Sequence, residues 1–466
     1  HQFFAHRLVD LLPDGRGITK GDAMLDADPN SIKLNGAADR VEAILRNRRL
    51  ISLASGPRSR LKAYYALLSR SGLTTGVMIQ RIKTILSDIF PNYAAARVSY
   101  DKPYLLSILR DEKTDGRAEL DWDCLIRRFH CEGMAGIAYR RLNRSKKIPL
   151  EVREKLAVYY HAFVAQNLNN IEALKTLEQS LAGEEIEVMT LKGISLLNHL
   201  YRGVGTRPMA DIDLMVRSED RESLFALLKN LGYRQNYRSR NSFASGRTVL
   251  DLHCHIMNTD RIRSREQLFP AGMAPIWGRS IPWDLNCRWL RRPDDLDSIL
   301  ILSQHLMKHY FSRLIWIEDI YRMIKGRNAI FWCLLSKRAE ELEQIKPLSY
   351  ALYLLKKYYQ FSPPPSTEEN KPISMPSSLE TFFLDLSCGE QALELLAPMM
   401  AAYTIRGFGR RLQFALENLF PRKEVLEGEF GRNSPGRRLL FFPFRLCQTM
   451  VMLLRHCRIV LRTAFR

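Results

Sequence analysis

Asp211-Ile212-Asp213-Leu214-Met215-Val216 is the segment that most restricts how this chain folds. Strand side chains alternate between faces, so Asp211 and Asp213 share one face and Ile212, Leu214 and Val216 the other. Such a segment reads as a strand packed inward on its apolar face, with two carboxylates turned to a cleft. Like charges this close are costly unless a cation compensates them. Carboxylate oxygens suit Mg²⁺, or Mn²⁺ in its place. A D-x-D pair alone also occurs in strands with no such role, and two further segments strengthen the reading.

The first is Leu191-Lys192-Gly193-Ile194-Ser195, between an expected strand (IEVMTL) and an expected helix. Gly193 allows close backbone approach there. The helix N-terminal amides, the Ser195 hydroxyl and the Lys192 ammonium would hold a triphosphate. The second is TVLDLHCHI, an alternating strand that puts Asp251, His253 and His255 on one face and supplies a third carboxylate. The same D-x-H-x-H spacing also suits a transition metal, which leaves a metallohydrolase as a rival reading. His305 and His309, at i and i+4, lack the intervening Glu of a zinc-protease helix and read as packed helix histidines.

These segments fall in a block at 186–256 that alternates strands and helices. Within it Ser218 marks the start and Gly232 the stop of the helix carrying LFALLKNL. Three helices are expected over 100–185, and helices return from about 294 to 360. The expected division is 1–52, short β-hairpins; 53–99, a basic amphipathic helical linker; 100–361, the main domain; 362–378, a Pro-rich linker; and 379–466, a basic helical tail. After Tyr403 that tail carries thirteen Arg or Lys against four acids.

The 466 residues, 46% hydrophobic and 26% charged, exclude a disordered chain and a single small domain. Seventy basic against fifty acidic residues give a net charge of +20, which favours polyanionic partners: nucleotides, nucleic acid or an anionic membrane surface. Eight cysteines without a CxxC pair read as reduced thiols in a cytoplasmic protein. Arg445 and Arg455 interrupt the best apolar run, so no membrane-spanning helix is expected.

Through LKGISLLNHLY, the R-P-M-A-DIDLMV stretch from Arg207, the helix ending in LGY and VLDLHCHI, residues 104–360 resemble the uncharacterised bacterial nucleotidyltransferases of the DNA polymerase β superfamily. His305, His309, Trp316 and Asp319 look like that branch too. The resemblance implies an α+β fold, a polymerase-β-like core with a mixed sheet surrounded by helical regions, here with a small N-terminal β-ribbon unit. It implies metal ions on Asp211, Asp213 and Asp251, transfer of a nucleoside monophosphate from an NTP to a hydroxyl acceptor, and pyrophosphate release. The acceptor, whether small molecule, sugar, peptide or protein, stays open. Asp251 would take the hydroxyl proton, and Lys192 or Arg207 would neutralise phosphate charge. The phosphate loop departs from the superfamily's usual Gly-Ser, having Lys192-Gly193-Ile194-Ser195 instead. For Arg207 a surface arginine or a strand-edge ion pair is an equal expectation.

A second resemblance, over residues 3–45, is to signal peptidases of the archaeal and endoplasmic reticulum type, with His6 and Asp28 in the places of catalytic residues. That family's serine and membrane anchor precede the histidine, so a remnant of a peptidase or of a fusion is expected, with the true N-terminus missing. The alternative function is a non-catalytic module in which the basic tail binds nucleic acid or a membrane surface. The positive excess lies outside the acidic site, which favours triphosphate attraction or attachment at the membrane periphery over sequence-specific nucleic-acid reading.

Overall fold

The computed structural model describes the backbone of strands within residues 6–52, and residues 101–110, 120–145, 148–236, 241–257, 262–284, 286–364, 373–388 and 396–419. The described residues fall into two compact units, one before residue 95 and one from residue 101 on. In the first, β1 (His6–Leu11), β2 (Arg16–Gly21) and β3 (Ile32–Lys33) form an antiparallel sheet, and β4 (Ala43–Arg46) pairs with β5 (Arg49–Ser52) as a hairpin. His6 opens β1. Asp28, the expected linker 53–99 and residues 420–466 of the expected tail lie outside the described residues.

The second unit begins with four helices where three were expected: α1 (Lys102–Leu109), α2 (Trp122–Cys131), α3 (Ala135–Leu142) and α4 (Leu150–Glu184). The run from Trp122 to Leu142 breaks because Gly133 takes a left-handed φ of 75°. Gly136 then lets α3 press against the loop that leads into Ile212–Val216, since a Cβ there would collide with the Gly205 and Thr206 carbonyl oxygens. Backbone cannot yield as a side chain can, so Gly136→Ala is expected to cost about 1–3 kcal/mol, seen as a lower urea midpoint.

The chain then builds β6 (Val188–Leu191), α5 (Lys192–Leu200), β7 (Ile212–Val216), α6 (Arg221–Asn230), β8 (Arg234–Gln235), β9 (Ser242–Ser245) and β10 (Thr248–His253). Helix α6 starts three residues after Ser218, with Asp220 as N-cap making no side-chain cap bond. Gly232 terminates it at φ 82°, as expected. With β11 (Ile281–Pro282) and β12 (Leu290–Arg292) the strands form one seven-stranded mixed sheet in the order β11-β12-β6-β7-β10-β9-β8. Strand β7 lies at its centre, antiparallel to β6 and parallel to β10. Ile212, Leu214, Met215 and Val216 are fully buried, as strands covered on both faces require. The fold is therefore α+β with a mixed sheet and surrounding helices.

Helix α4 braces this sheet at two places. The Glu178 carboxylate accepts the amides of Arg288, Trp289 and Leu290 at 2.6–3.1 Å, fixing β12. Asn167 Nδ2 donates to the carbonyls of Val204 and Arg207, fixing the loop into β7. The remaining layer is α7 (Ala274–Trp277), α8 (Asp295–Lys308), α9 (Leu314–Ile324), α10 (Ala329–Glu341), α11 (Ile345–Tyr359), α12 (Ser378–Cys388), α13 (Leu396–Thr404) and α14 (Phe408–Leu419). Asp294 caps α8 through the Asp297 amide, and nearly every side chain of that helix is buried. Part of the expected tail packs onto this layer: Glu417 of α14 accepts from the amide and hydroxyl of Ser264, and Glu380 of α12 accepts from Lys346 and Tyr350.

Two buried contacts tie the first helices to the turn between α8 and α9. Lys102 Nζ donates to the Phe311 carbonyl at 3.0 Å, and the Glu132 carboxylate accepts the Leu314 amide at 2.8 Å. Both Tyr310 and Phe311 in that turn have positive φ, 62° and 53°.

Candidate active site

Register decides which carboxylates meet. Asp213 is the Cα partner of Asp251 on β10 and of Leu191 on β6. Lys192 is therefore delivered beside Asp213 from one neighbour and Asp251 from the other. Lys192 adopts φ 54°, a left-handed conformation disfavoured for a side chain bearing Cβ, at the point where β6 turns directly into α5. Its Nζ donates to Asp213 Oδ1 at 2.6 Å. His253 Nε2 lies 2.9 Å from the same oxygen and 3.2 Å from Asp251 Oδ2.

Burial works against the charge on Asp213, but Lys192 and the hydrogen bond from His253 outweigh it and hold the carboxyl well below the ordinary range. Burial likewise disfavours charged His253, yet its bonds to Asp213 and Asp251 raise its pKa. The like-charged carboxylates are thus compensated within the chain, by the Lys192 ammonium and by the hydrogen bonds of His253.

Asp213, Asp251 and His253 bring ligand atoms within 4.8 Å of one another. Asp211, just ahead of β7, keeps an exposed side chain and stands outside this group, though it lines the same cleft. Desolvation at the cleft wall and the charge of Asp213 push its carboxyl above the usual range. The donor set therefore differs from the expected three aspartates, with His253 closer to the pair than Asp211. Alternation already put His253 on the Asp251 face, so its position was readable; its partnership with Asp213 needed the strand pairing. His255 does not join it: its ring accepts the Met257 amide, packs edge-on to Phe269 and is pushed down to about 4 by burial. The D-x-H-x-H motif is thereby split, and with it the basis for the metallohydrolase reading.

The phosphate-loop expectations divide. Gly193 lines the cleft, and a Cβ on it would run into the Arg207 guanidinium. Ser195 is buried, donates to the Lys192 carbonyl at 2.8 Å and is not part of the cleft lining. Its hydroxyl closes the first turn of α5. Arg207 is not a surface arginine. It is 5% exposed, and its Nε and Nη2 form a two-point bond with Asp319, itself fully buried and also accepting from Tyr201. Nη1 reaches only the adjacent Pro208 carbonyl, at 3.4 Å, and Arg207 lines the cleft beneath Gly193.

The cleft measures about 270 Å³ and is completed by Pro208, Met209 and Ala210 of the loop into β7 and by His305, Lys308, His309, Arg313 and Trp316 of α8, α9 and the turn joining them. Sequence reading assigned these last side chains no role. Within their own helix they look like core and solvated positions, and only tertiary packing turns them toward the carboxylates.

Paired carboxylates beside a lysine-glycine strand-to-helix junction, in a cleft of this size, suit proteins that handle phosphate groups. The chain belongs to a family of uncharacterised nucleotidyltransferases, which its residues 118–360 match. No curated protein and no solved structure matches it.

The donors fit a divalent cation: two carboxylates and an imidazole within reach of one another, on rigid adjacent strands, with Lys192 and His253 now performing the charge compensation. Among the described residues, no helix is long and apolar enough to cross a membrane.

Proposed function

We propose that this chain is a metal-dependent nucleotidyltransferase of the DNA polymerase β superfamily, moving a nucleoside monophosphate from an NTP to a hydroxyl acceptor. The observation that carries the reading is Asp213 abreast of Asp251 with Lys192 on the first. Mg²⁺ or Mn²⁺, held by Asp213 and Asp251 with His253 or Asp211 beside them, would supply Lewis-acid charge to phosphate oxygens and acidify the acceptor hydroxyl. Asp251 accepts the hydroxyl proton, the acceptor oxygen bonds to the α-phosphorus, and the bond to the β-phosphate breaks to release pyrophosphate. Lys192, which donates to Asp213, stands at the cleft where it would neutralise charge on the phosphates. Gly193 keeps the loop low enough for their approach. Arg207 acts by tying the loop into β7 to α9, since its strongest bonds go to Asp319.

The acceptor is a small molecule, sugar, peptide or protein. We assign catalysis to residues 100–361 of a cytoplasmic protein, read the basic tail as a solvated helical face with an anionic membrane surface as the alternative, and read His6 and Asp28 as a peptidase remnant.

NTPs labelled at the α- or γ-phosphate, incubated with the chain, cell extract and Mg²⁺, test the reading. Incorporation of α-label with pyrophosphate release, abolished by chelator and restored by Mg²⁺ or Mn²⁺, is the expected result. Incorporation of γ-label alone would replace it with phosphoryl transfer.

A further inference from the structure

The C-terminal turn of α8 and the first turn of α9 give the cleft a wall of a different chemistry. His305, His309 and Trp316 form a cluster with ring centroids 4.4, 4.9 and 5.2 Å apart, and the Arg313 guanidinium lies 5.7 Å from the Trp316 ring centre. Burial pushes His305 far down and His309 to about 4, so both imidazoles are neutral near pH 7 and present ring surface in place of charge. Lys308 stands between the two histidines in sequence and lines the same cleft.

The cleft's other cations are tied to protein groups: Lys192 to Asp213, Arg207 to Asp319, and Arg313 to the Cys131 carbonyl. The Lys308 ammonium, among the described residues, has no hydrogen bond or ion pair, although its side chain is partly buried. The carboxylates that act on this ammonium, Asp213 and Asp251, make no ion pair with it, so an arriving anion gains a contact that no protein group occupies. Desolvation lowers Lys308 to about 8, with Lys192 and Arg265 adding to the effect and Asp213 and Asp251 opposing it.

Resting on the nucleotidyltransferase reading, we propose that this wall is the nucleotide subsite: Lys308 receives the triphosphate oxygens, and the His305–His309–Trp316 ledge stacks the nucleobase. One short stretch offers an unpaired cation and neutral ring faces together, and an NTP has both a polyanion and a flat π-system. A hydroxyl acceptor requires no cation, so the pairing favours the nucleotide over the acceptor as occupant.

Calorimetric titration of the full chain with ATP and with inorganic tripolyphosphate, in Mg²⁺ and without acceptor, separates the two contacts. Lys308→Met should weaken both ligands by about the same factor, on the order of tenfold. Trp316→Leu should weaken ATP by about tenfold and leave tripolyphosphate unchanged, and Trp316→Phe, which keeps a ring, should restore most of the loss. Unchanged ATP affinity in Trp316→Leu or unchanged affinities in Lys308→Met would overturn the proposal and return the ledge to the acceptor. A wild-type chain that binds neither ligand would instead overturn the nucleotidyltransferase reading itself.

Discussion

Asp213→Asn is expected to lower nucleotidyl transfer by about a thousandfold while the chain remains folded. Asparagine keeps the size of the side chain and an acceptor for Lys192, so the strand pairing and the packed face of β7 are untouched. What is lost is the negative charge that Lys192 and His253 face, and with it a carboxylate ligand. Removing several kcal/mol of charge stabilisation from a transfer step corresponds to about three powers of ten in rate. α-Label incorporation, read beside circular dichroism, gives the answer, with the exposed Glu219→Gln as a control. Activity within a few fold of wild type would remove Asp213 from the chemistry.

The largest stability effect is expected at Asp319→Ala. That carboxylate is fully buried and receives the Arg207 guanidinium at two points, as well as the Tyr201 hydroxyl. Truncating it leaves a guanidinium in the interior with no counter-charge, at a cost of about 3–5 kcal/mol. Urea unfolding should show the midpoint falling with little change in slope. The double variant Arg207→Met with Asp319→Leu should recover most of the loss, because it removes both charges together. If the double variant is no more stable than the single one, the pair does not behave as an isolated buried ion pair.

The central block was legible because two periodicities announce it. Alternation in DIDLMV and TVLDLHCHI placed the carboxylates on cleft-facing sides, and the turn from IEVMTL into a helix placed Lys192 and Gly193 at a junction. What sequence did not carry was register. Only the parallel pairing of β7 with β10 brings Asp251 level with Asp213, and only that pairing makes His253 a neighbour of both.

Ser195 is the contrasting case: a hydroxyl at a helix start reads as a ligand group, and in the structure it bonds the backbone of its own first turn. Lys308 and Trp316 lay beyond local reading, since their helices are recognisable while the direction a given side chain faces depends on how those helices pack onto the sheet.

Lys102 and Glu132 bear on where the working unit ends. Their bonds to Phe311 and Leu314 anchor the left-handed turn from which the aromatic wall projects, and Lys102 precedes the first residue matched by the family. A fragment cut at residue 118 would retain every carboxylate of the cleft. It would lose the outer pin on the opposite end of that turn, leaving the metal-binding floor correct and the wall free to drift. On the proposed function, the smallest piece able to do the whole reaction is therefore longer than the piece that carries the recognisable motifs.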